Sequence, residues 1–512
     1  MKKISILSIL FIICFAGAYA DIRLPAIFSD NMILQRDMKV PIWGWGDSGE
    51  KVEVQFGHHK TKTKTGSDGR WVLYLDPIES GGPFQLIIIG KNKVVIDNVL
   101  VGEVWVCSGQ SNMAMTVGRS FNAEEEIAAA NSPNIRFFQV KRAKTKQPLD
   151  DFLDDPAFSN TSINKWGSCD AASVKDLTAV GYYFIRDIYE NLEVPVGIIS
   201  ASWGGTSAEA WTPKETLVKD KELSSILDDW LGYNNEVKWL RDMYANYLKE
   251  VEEAKAQKKE IPMYFNQPSV LFNGMIAPII PYAIRGVTWY QGEGNALRAR
   301  QYRRLFPAMI QSWREAWKQG DFPFLFVQLA NFMEPADQPE DANWAELREA
   351  QASTLDKLTN TGMAVIIDIG EANDIHPKNK QDVGKRLALS ALKIAYHQDV
   401  VYSGPMYKSM EIEESEIRIR FEETGSGLMV KNRYGYVNGF AVAGADKIFY
   451  WAKACIKDEK TVVITCDKVS KPVAVRYNWS NNPGDTNLYN KEGLPASPFR
   501  TDNWAGISYW KK

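Results

Sequence analysis

From about residue 100 to about residue 400 the chain alternates short apolar runs with longer amphipathic stretches, and this alternation limits the fold more than any other feature. The clearest apolar runs are VPVGIISAS, IRGVTWYQGE, FPFLFVQLANF and GMAVIIDIG. They are interleaved with segments of helical periodicity such as AVGYYFIRDIYENL, YRRLFPAMIQSWREAWKQG and WAELREAQASTLDKL. A strand that returns through a helix lies parallel to its predecessor, because a parallel return needs a long crossover. The expected architecture is therefore α/β, a doubly wound parallel sheet with helices on both faces. Residues 215–265, rich in Lys, Glu and Tyr, read as a solvated helical insertion carrying no chemistry of its own.

The flanks have another texture. Residues 21–100 alternate with period two in runs such as KVEVQFG and RWVLYLD, divided by Gly and Asp-Gly breaks, which is the pattern of a small β-sandwich. Residues 401–512 return to β-rich sequence, and the two β regions are candidates to share one core. A chain of 512 residues exceeds what one core usually organises, so two or three closely packed domains are expected. The first twenty residues, MKKISILSILFIICFAGAYA, carry two lysines, an apolar run and Ala18-Tyr19-Ala20, the layout of a cleaved export leader. The mature protein is expected to start near Asp21 and to be periplasmic or secreted. Cys14 lacks the small residues that precede a lipidated cysteine, and no later run reaches about 18 apolar residues, so no membrane anchor is expected.

Composition excludes some partners. A net charge of -3 offers no basic footprint for nucleic acid. Of the 17 Trp and 21 Tyr most belong to packing, and the remainder suit stacking on sugar faces. Past the leader four cysteines remain, Cys107, Cys169, Cys455 and Cys466, with no CxxC pair or Cys/His cluster to hold zinc. Cys455 and Cys466 flank the hairpin-like CIKDEKTVVITC, where a cross-strand bridge and two free thiols are both open readings.

Histidine is the usual general base near neutral pH, and this chain has four. His58 and His59 sit side by side in a strand-like stretch, where neighbours point to opposite faces. His397 lies in the helix-like segment LALSALKIAYHQDV. His376 lies in the loop DIGEANDIHPKNKQDVG directly after an apolar strand, where a doubly wound fold places its ligands. A serine nucleophile needs such a base and donors for the oxyanion. VGEVWVCSGQSNMAM supplies one: an apolar strand ending in a small-residue turn that exposes Ser111, with Met113 where an α/β-hydrolase elbow would have its second glycine. IISASWGGTSAEAW adds Gly204 and Gly205, and GVTWYQGEGNA adds Gln291, Glu293 and Asn295, each at a strand end.

Together GQSNM, SWGGTSAEAW, WYQGEGNA and NDIHPKNKQDVGKRLAL resemble the ordered blocks of the SGNH/GDSL hydrolases, and more closely the sialate O-acetylesterase-like carbohydrate esterases. The resemblance runs through LFNGMIAPIIPYAIRG, WAELREAQ and AVRYNWSNNP to cover most of residues 100–510, and implies an SGNH-type catalytic domain over 101–400. It implies a serine esterase without metal or cofactor that acts on an acetylated glycan or sialic acid. By motif, Ser111 is the nucleophile and His376 the base, and the oxyanion is held by the N–H groups of Ser111 and Gly205 with a side chain from the third loop. Gln291, which ends its strand, is favoured for that last role over Asn295, with Gly204 and Glu293 in the same loops. The chain departs from the wider pattern where the acid should stand three residues before the histidine: Asn373 occupies that place and Asp374 follows it. Asp374 is favoured to orient His376, with Asp368 and a backbone carbonyl as the alternatives. Acetylated xylan and xyloglucan are alternative substrates, and a non-catalytic carbohydrate-binding protein is the rival reading, which an intact Ser111 and His376 disfavour.

Overall fold

The computed structural model describes residues 21–153, 163–234 and 238–508. The expected leader over residues 1–20, with its cleavage point and Cys14, lies outside the described residues. The central sheet is built from β1 (Lys93–Gly109), β2 (Asn131–Gln139), β3 (Trp166–Asp170), β4 (Val196–Ser202), β5 (Gly286–Tyr290), β6 (Phe324–Val327) and β7 (Thr361–Ala364). Five helices matter for the site: α1 (Ser111–Ala114), α2 (Ala179–Leu192), α3 (Ala299–Trp317), α4 (Asn343–Ala352) and α5 (Lys380–Ile394).

The strand order is β7-β6-β5-β1-β4-β2-β3, parallel throughout except for the antiparallel edge strand β3. Both faces are covered, so the strands read as unbroken apolar runs instead of alternating ones. In β6, Phe324 and Phe326 pack with Phe306 and Trp313 of α3, while Leu325 and Val327 pack with Phe184 of α2 and Leu387 of α5. Trp289 meets Trp211 and Trp313 edge-on at 6.0 and 5.9 Å, an aromatic knot whose truncation to alanine costs about 3–5 kcal/mol per ring. Strand order reverses at β1: its neighbours β4 and β5 precede and follow the crossing of the chain from one half of the sheet to the other. A crevice opens at the carboxyl end of β1, and this is where Ser111 lies.

The N-terminal strands keep the expected period of two, with alternate burial in Lys51–Phe56 and Arg70–Leu75. The N-terminal region and the central sheet meet within one strand. β1 pairs with Gly81–Ile89 along its first half and with Ile33–Gln35 at Leu100–Gly102, then with β4 and β5 from Glu103 onward. The two β regions do not share a core. Val52, Val54 and Phe56 belong to the cluster that covers the α3 face of the central sheet, whereas Ile417, Ile419, Val442, Val462 and Tyr477 form a separate C-terminal one. That second core joins the sheet unit through polar contacts: Arg348, fully buried, donates to the carbonyls of Leu329, Ala330, Ser480 and Asn481.

Two local expectations change. α5 ends at Ile394, so His397 stands beyond it, exposed and with φ +55°, not in a helix. Cys455 faces Val463 across its hairpin, and all four described cysteines are free thiols. The insertion is helical as read, over Lys214–Lys219, Lys221–Asn234 and Lys238–Ala256. No helix among the described residues is long and apolar enough to cross a membrane.

Candidate active site

β1 ends level with Ser202 of β4 and Tyr290 of β5, which flank Gly109 in register. Gly109 has φ +139°, and a Cβ there would sit 2.2 Å from the Tyr290 carbonyl oxygen, so only glycine lets the chain turn this close to its neighbour. The turn is locked when Gln110 N–H donates to Tyr290 O and Trp203 N–H donates to Gly109 O, both at 3.0 Å. Gln110 then caps α1, and Ser111 is its first residue, half-buried with its hydroxyl in the crevice.

His376 comes from the loop after β7, and its Nε2 stands 2.8 Å from Ser111 Oγ. Asp374 accepts from the backbone N–H of His376 at 2.9 Å, while its carboxylate stands 3.5 Å from His376 Nδ1, longer than a strong hydrogen bond. Asp368 is elsewhere, paired twice with Arg386 at 2.7 and 2.8 Å and accepting from Tyr489 Oη. Burial is the largest influence on the imidazole and holds its pKa below the usual histidine value; Asp374 opposes it, and Lys380 and Arg119 add to it. His58 and His59 stack on each other at a hairpin turn, 4.2 Å between rings.

Gly204 packs directly on the serine, since a Cβ there would be 3.2 Å from Ser111 Cβ. Gly205 follows with φ +75°. Among the described residues the backbone N–H groups of Ser111, Gly204 and Gly205 donate to no other residue. The third loop differs from expectation. Gln291 is fully buried and donates to Thr206 O at 3.2 Å and Asn295 Oδ1 at 2.7 Å, so both amide hydrogens are taken. Asn295 accepts from Ala208 N–H and donates to Glu209, itself paired with Arg298 at 2.5 Å. These two side chains face the neighbouring loop and hold it, in place of the oxyanion role read for one of them. Glu293 points inward too, accepting from Asn112 Nδ2 at 2.6 Å, and burial raises its pKa.

Further residues not singled out from the sequence complete the site. Asn112 and Lys380 lie beneath the serine, joined at 2.6 Å. Arg119 and Arg142, with Trp203, Met115 and Ala114, line an open recess of about 340 Å³ around Ser111 and His376. Neither arginine forms an ion pair with a described residue. Trp203 stacks on Phe265 of the insertion, 5.6 Å and 15° apart, which ties that segment to the recess wall. A larger cavity of about 950 Å³, between the N-terminal strands and the end of α3, shares no residue with this recess. Among the described residues no group of three or more His, Cys, Asp and Glu could hold a metal ion.

A family profile described as "Carbohydrate esterase, sialic acid-specific acetylesterase" matches residues 101–393. The chain is 31% identical over 520 residues to the sialate O-acetylesterase of Mus musculus, covering 93% of each protein. It is 29% identical over 522 residues to that of Homo sapiens, covering 93% of this chain and 92% of the human one. Its fold is similar to the crystal structure of a carbohydrate acetylesterase from Xanthomonas citri, with a TM-score of 0.81 and 36% identity over 94% of this chain and all of that one.

Proposed function

The chain belongs to the sialic acid-specific acetylesterase family of carbohydrate esterases, and from that premise we propose that it removes acetyl groups from O-acetylated sialic acid, with Ser111 as nucleophile and His376 as general base. Membership makes it a carbohydrate O-acetylesterase, a hydrolase of carboxylic esters. What carries the residue assignment is the 2.8 Å contact between Ser111 Oγ and His376 Nε2 at the strand-order reversal. In this reading His376 takes the serine proton as Oγ attacks the acetyl carbonyl, and the oxyanion develops against the N–H groups of Ser111 and Gly205. His376 then protonates the departing sugar hydroxyl, and water cleaves the acetyl-enzyme with the same base. Gly204 leaves room beside the serine for the acetyl methyl. Asp374 faces Nδ1 and orients the ring, its 3.5 Å separation closing on the imidazolium that forms in attack.

Arg119 and Arg142 favour an acidic sugar. A carboxylate is the natural counterpart of two guanidinium groups that form no ion pair with a described residue, Arg142 donating only to the Ser202 carbonyl at 3.4 Å and lying over the Trp203 ring. A neutral acetylated xylan would leave both charges unmatched. The same reading has the protein exported, on the strength of the leader-like first twenty residues. The test is acetate release from O-acetylated sialic acid and from acetylated xylan at equal ester concentration. The sialic acid ester is expected to react faster, and Ser111→Ala to lower the rate about 10³-fold or more. Substantial turnover by Ser111→Ala removes the nucleophile assignment, and equal rates on both substrates remove the acidic-sugar reading.

A further inference from the structure

Lys380 is fully buried, and lysine almost never is unless a carboxylate pairs with it. Here no ion pair accompanies it among the described residues; its ammonium donates to Asn112 Oδ1 at 2.6 Å and lies 5.2 Å from the centre of the Tyr290 ring. Its place in the fold adds a second cost. Asn379 caps α5 by accepting from Asp382 N–H, which makes Lys380 the first helical residue, where the helix dipole disfavours a cation. A methionine of similar length would remove both penalties, so folding does not account for this side chain.

Its partner explains it. Asn112 adjoins the nucleophile, and its Nδ2 donates to Glu293 Oε1 at 2.6 Å and to the Ile375 carbonyl at 3.0 Å. The peptide between Ile375 and His376 is thereby held at both ends, its C=O by Asn112 and its N–H by Asp374 at 2.9 Å. One amide side chain thus joins the serine loop, the third loop and the histidine loop, and Lys380 fixes which way that amide faces. Resting on the Ser111-His376 reading, we propose that Lys380 is a positioning residue for ester hydrolysis: through Asn112 it holds the His376 peptide in line with Ser111.

Charge gives the role a signature. Lys380 faces Glu293, Asp374 and Glu371, which favour its charged form, while burial is the larger influence and brings its pKa down to about 7. His376 in turn faces Asp374, which favours the imidazolium, and Lys380 and Arg119, which oppose it. Replacing Lys380 by a neutral residue therefore raises the pKa of His376, and the acid limb of kcat/KM moves to higher pH. That shift reports the lost charge, and the positioning role is read from a fall in kcat with KM unchanged.

The experiment measures 4-nitrophenyl acetate hydrolysis and thermal unfolding for the wild type, Ser111→Ala and Lys380→Met. Lys380→Met is expected to unfold at or above the wild-type temperature, to lose about tenfold or more in kcat with KM nearly unchanged, and to show the acid limb shifted upward. A kcat within twofold of wild type, or an acid limb that stays or moves down, overturns the inference. Lys380→Gln, which keeps a donor for Asn112 without the charge, is read by its acid limb alone if the methionine variant does not fold. Failure of both to fold assigns Lys380 a structural role and also overturns it. Full activity in Ser111→Ala would instead overturn the site reading on which the inference rests.

Discussion

Two polar clusters hang from the same strand ends and behave in opposite ways. Around Glu209, the side chains of Gln291, Asn295 and Arg298 are buried and bonded to one another and to the Thr206–Ala208 backbone. Around Ser111, the hydroxyl, the imidazole and two arginines line an open recess, and the backbone N–H groups of Ser111, Gly204 and Gly205 donate to no described residue. The residue types are alike; what differs is where the partners come from. A polar group satisfied by the protein becomes a frame, because breaking it strands a buried partner. A polar group left for the ligand is what a substrate can use. The difference teaches that a strand-terminal Asn or Gln marks the neighbourhood of a site without saying on which side of its wall it stands.

The comparison can be broken first at the frame. Glu209→Gln removes the carboxylate that pairs with the buried Arg298 guanidinium and should destabilise the protein by about 3–5 kcal/mol in urea unfolding. A loss below about 1 kcal/mol would show that this cluster is no more a frame than the recess is. Asp374→Asn acts at the open cluster, where the carboxylate is 43% exposed, so stability should hardly change while kcat on an aryl acetate falls about 10- to 100-fold. Near-native turnover would dissolve the Ser111-His376-Asp374 triad into a dyad steadied by the Asn112 bond to the Ile375 carbonyl. The smallest effect is expected at Arg119. If His376 is the neutral base proposed above, kcat/KM falls as pH drops through its pKa, and with burial, Lys380 and Arg119 all lowering that pKa the wild-type limb should lie below the ordinary histidine value. Arg119→Gln should raise the limb, by less than Lys380→Met does, and raise KM for an acidic sugar severalfold. A limb that moves down would mean that Arg119 does not face the imidazole.

The parallel sheet and the loops bearing Ser111 and His376 were readable because apolar runs buried on both faces are long and unmistakable, and the carboxyl ends of such strands are where loops gather. The boundary between the N-terminal strands and the sheet was harder, since VVIDNVLVGEVWVCSG is one strand and its change of partners leaves no mark in composition. Gln291 and Asn295 were misplaced because an amide that braces a loop and one that binds an oxyanion share the same sequence neighbourhood. Lys380 lay in plain view in HPKNKQ, yet a lysine at the start of an amphipathic helix reads as solvated. Only the packing of Asn112, Tyr290 and α5 around it shows otherwise. Trp203 was hidden by the many tryptophans that only pack, Arg119 by standing in a single 3-10 turn too short to show a period, and Arg142 by standing in a loop.

β1 carries a consequence for anyone who would trim this protein. Glu103, fully buried within that strand, is gripped by Arg36 from the N-terminal region and by Arg285 from the segment leading into β5. The pairing of β1 passes from Gly81–Ile89, which reaches Val101, to β4, which begins at Glu103. No cut in the chain parts the two regions cleanly. Deleting residues 21–92 would strip the first half of β1 of its ladder and leave Glu103 with one arginine, turning an interior strand into a raw edge of the kind that pairs with other chains. A minimal esterase made that way would tend to clump instead of working as a smaller enzyme, whereas shortening the helical insertion touches no ladder of the central sheet.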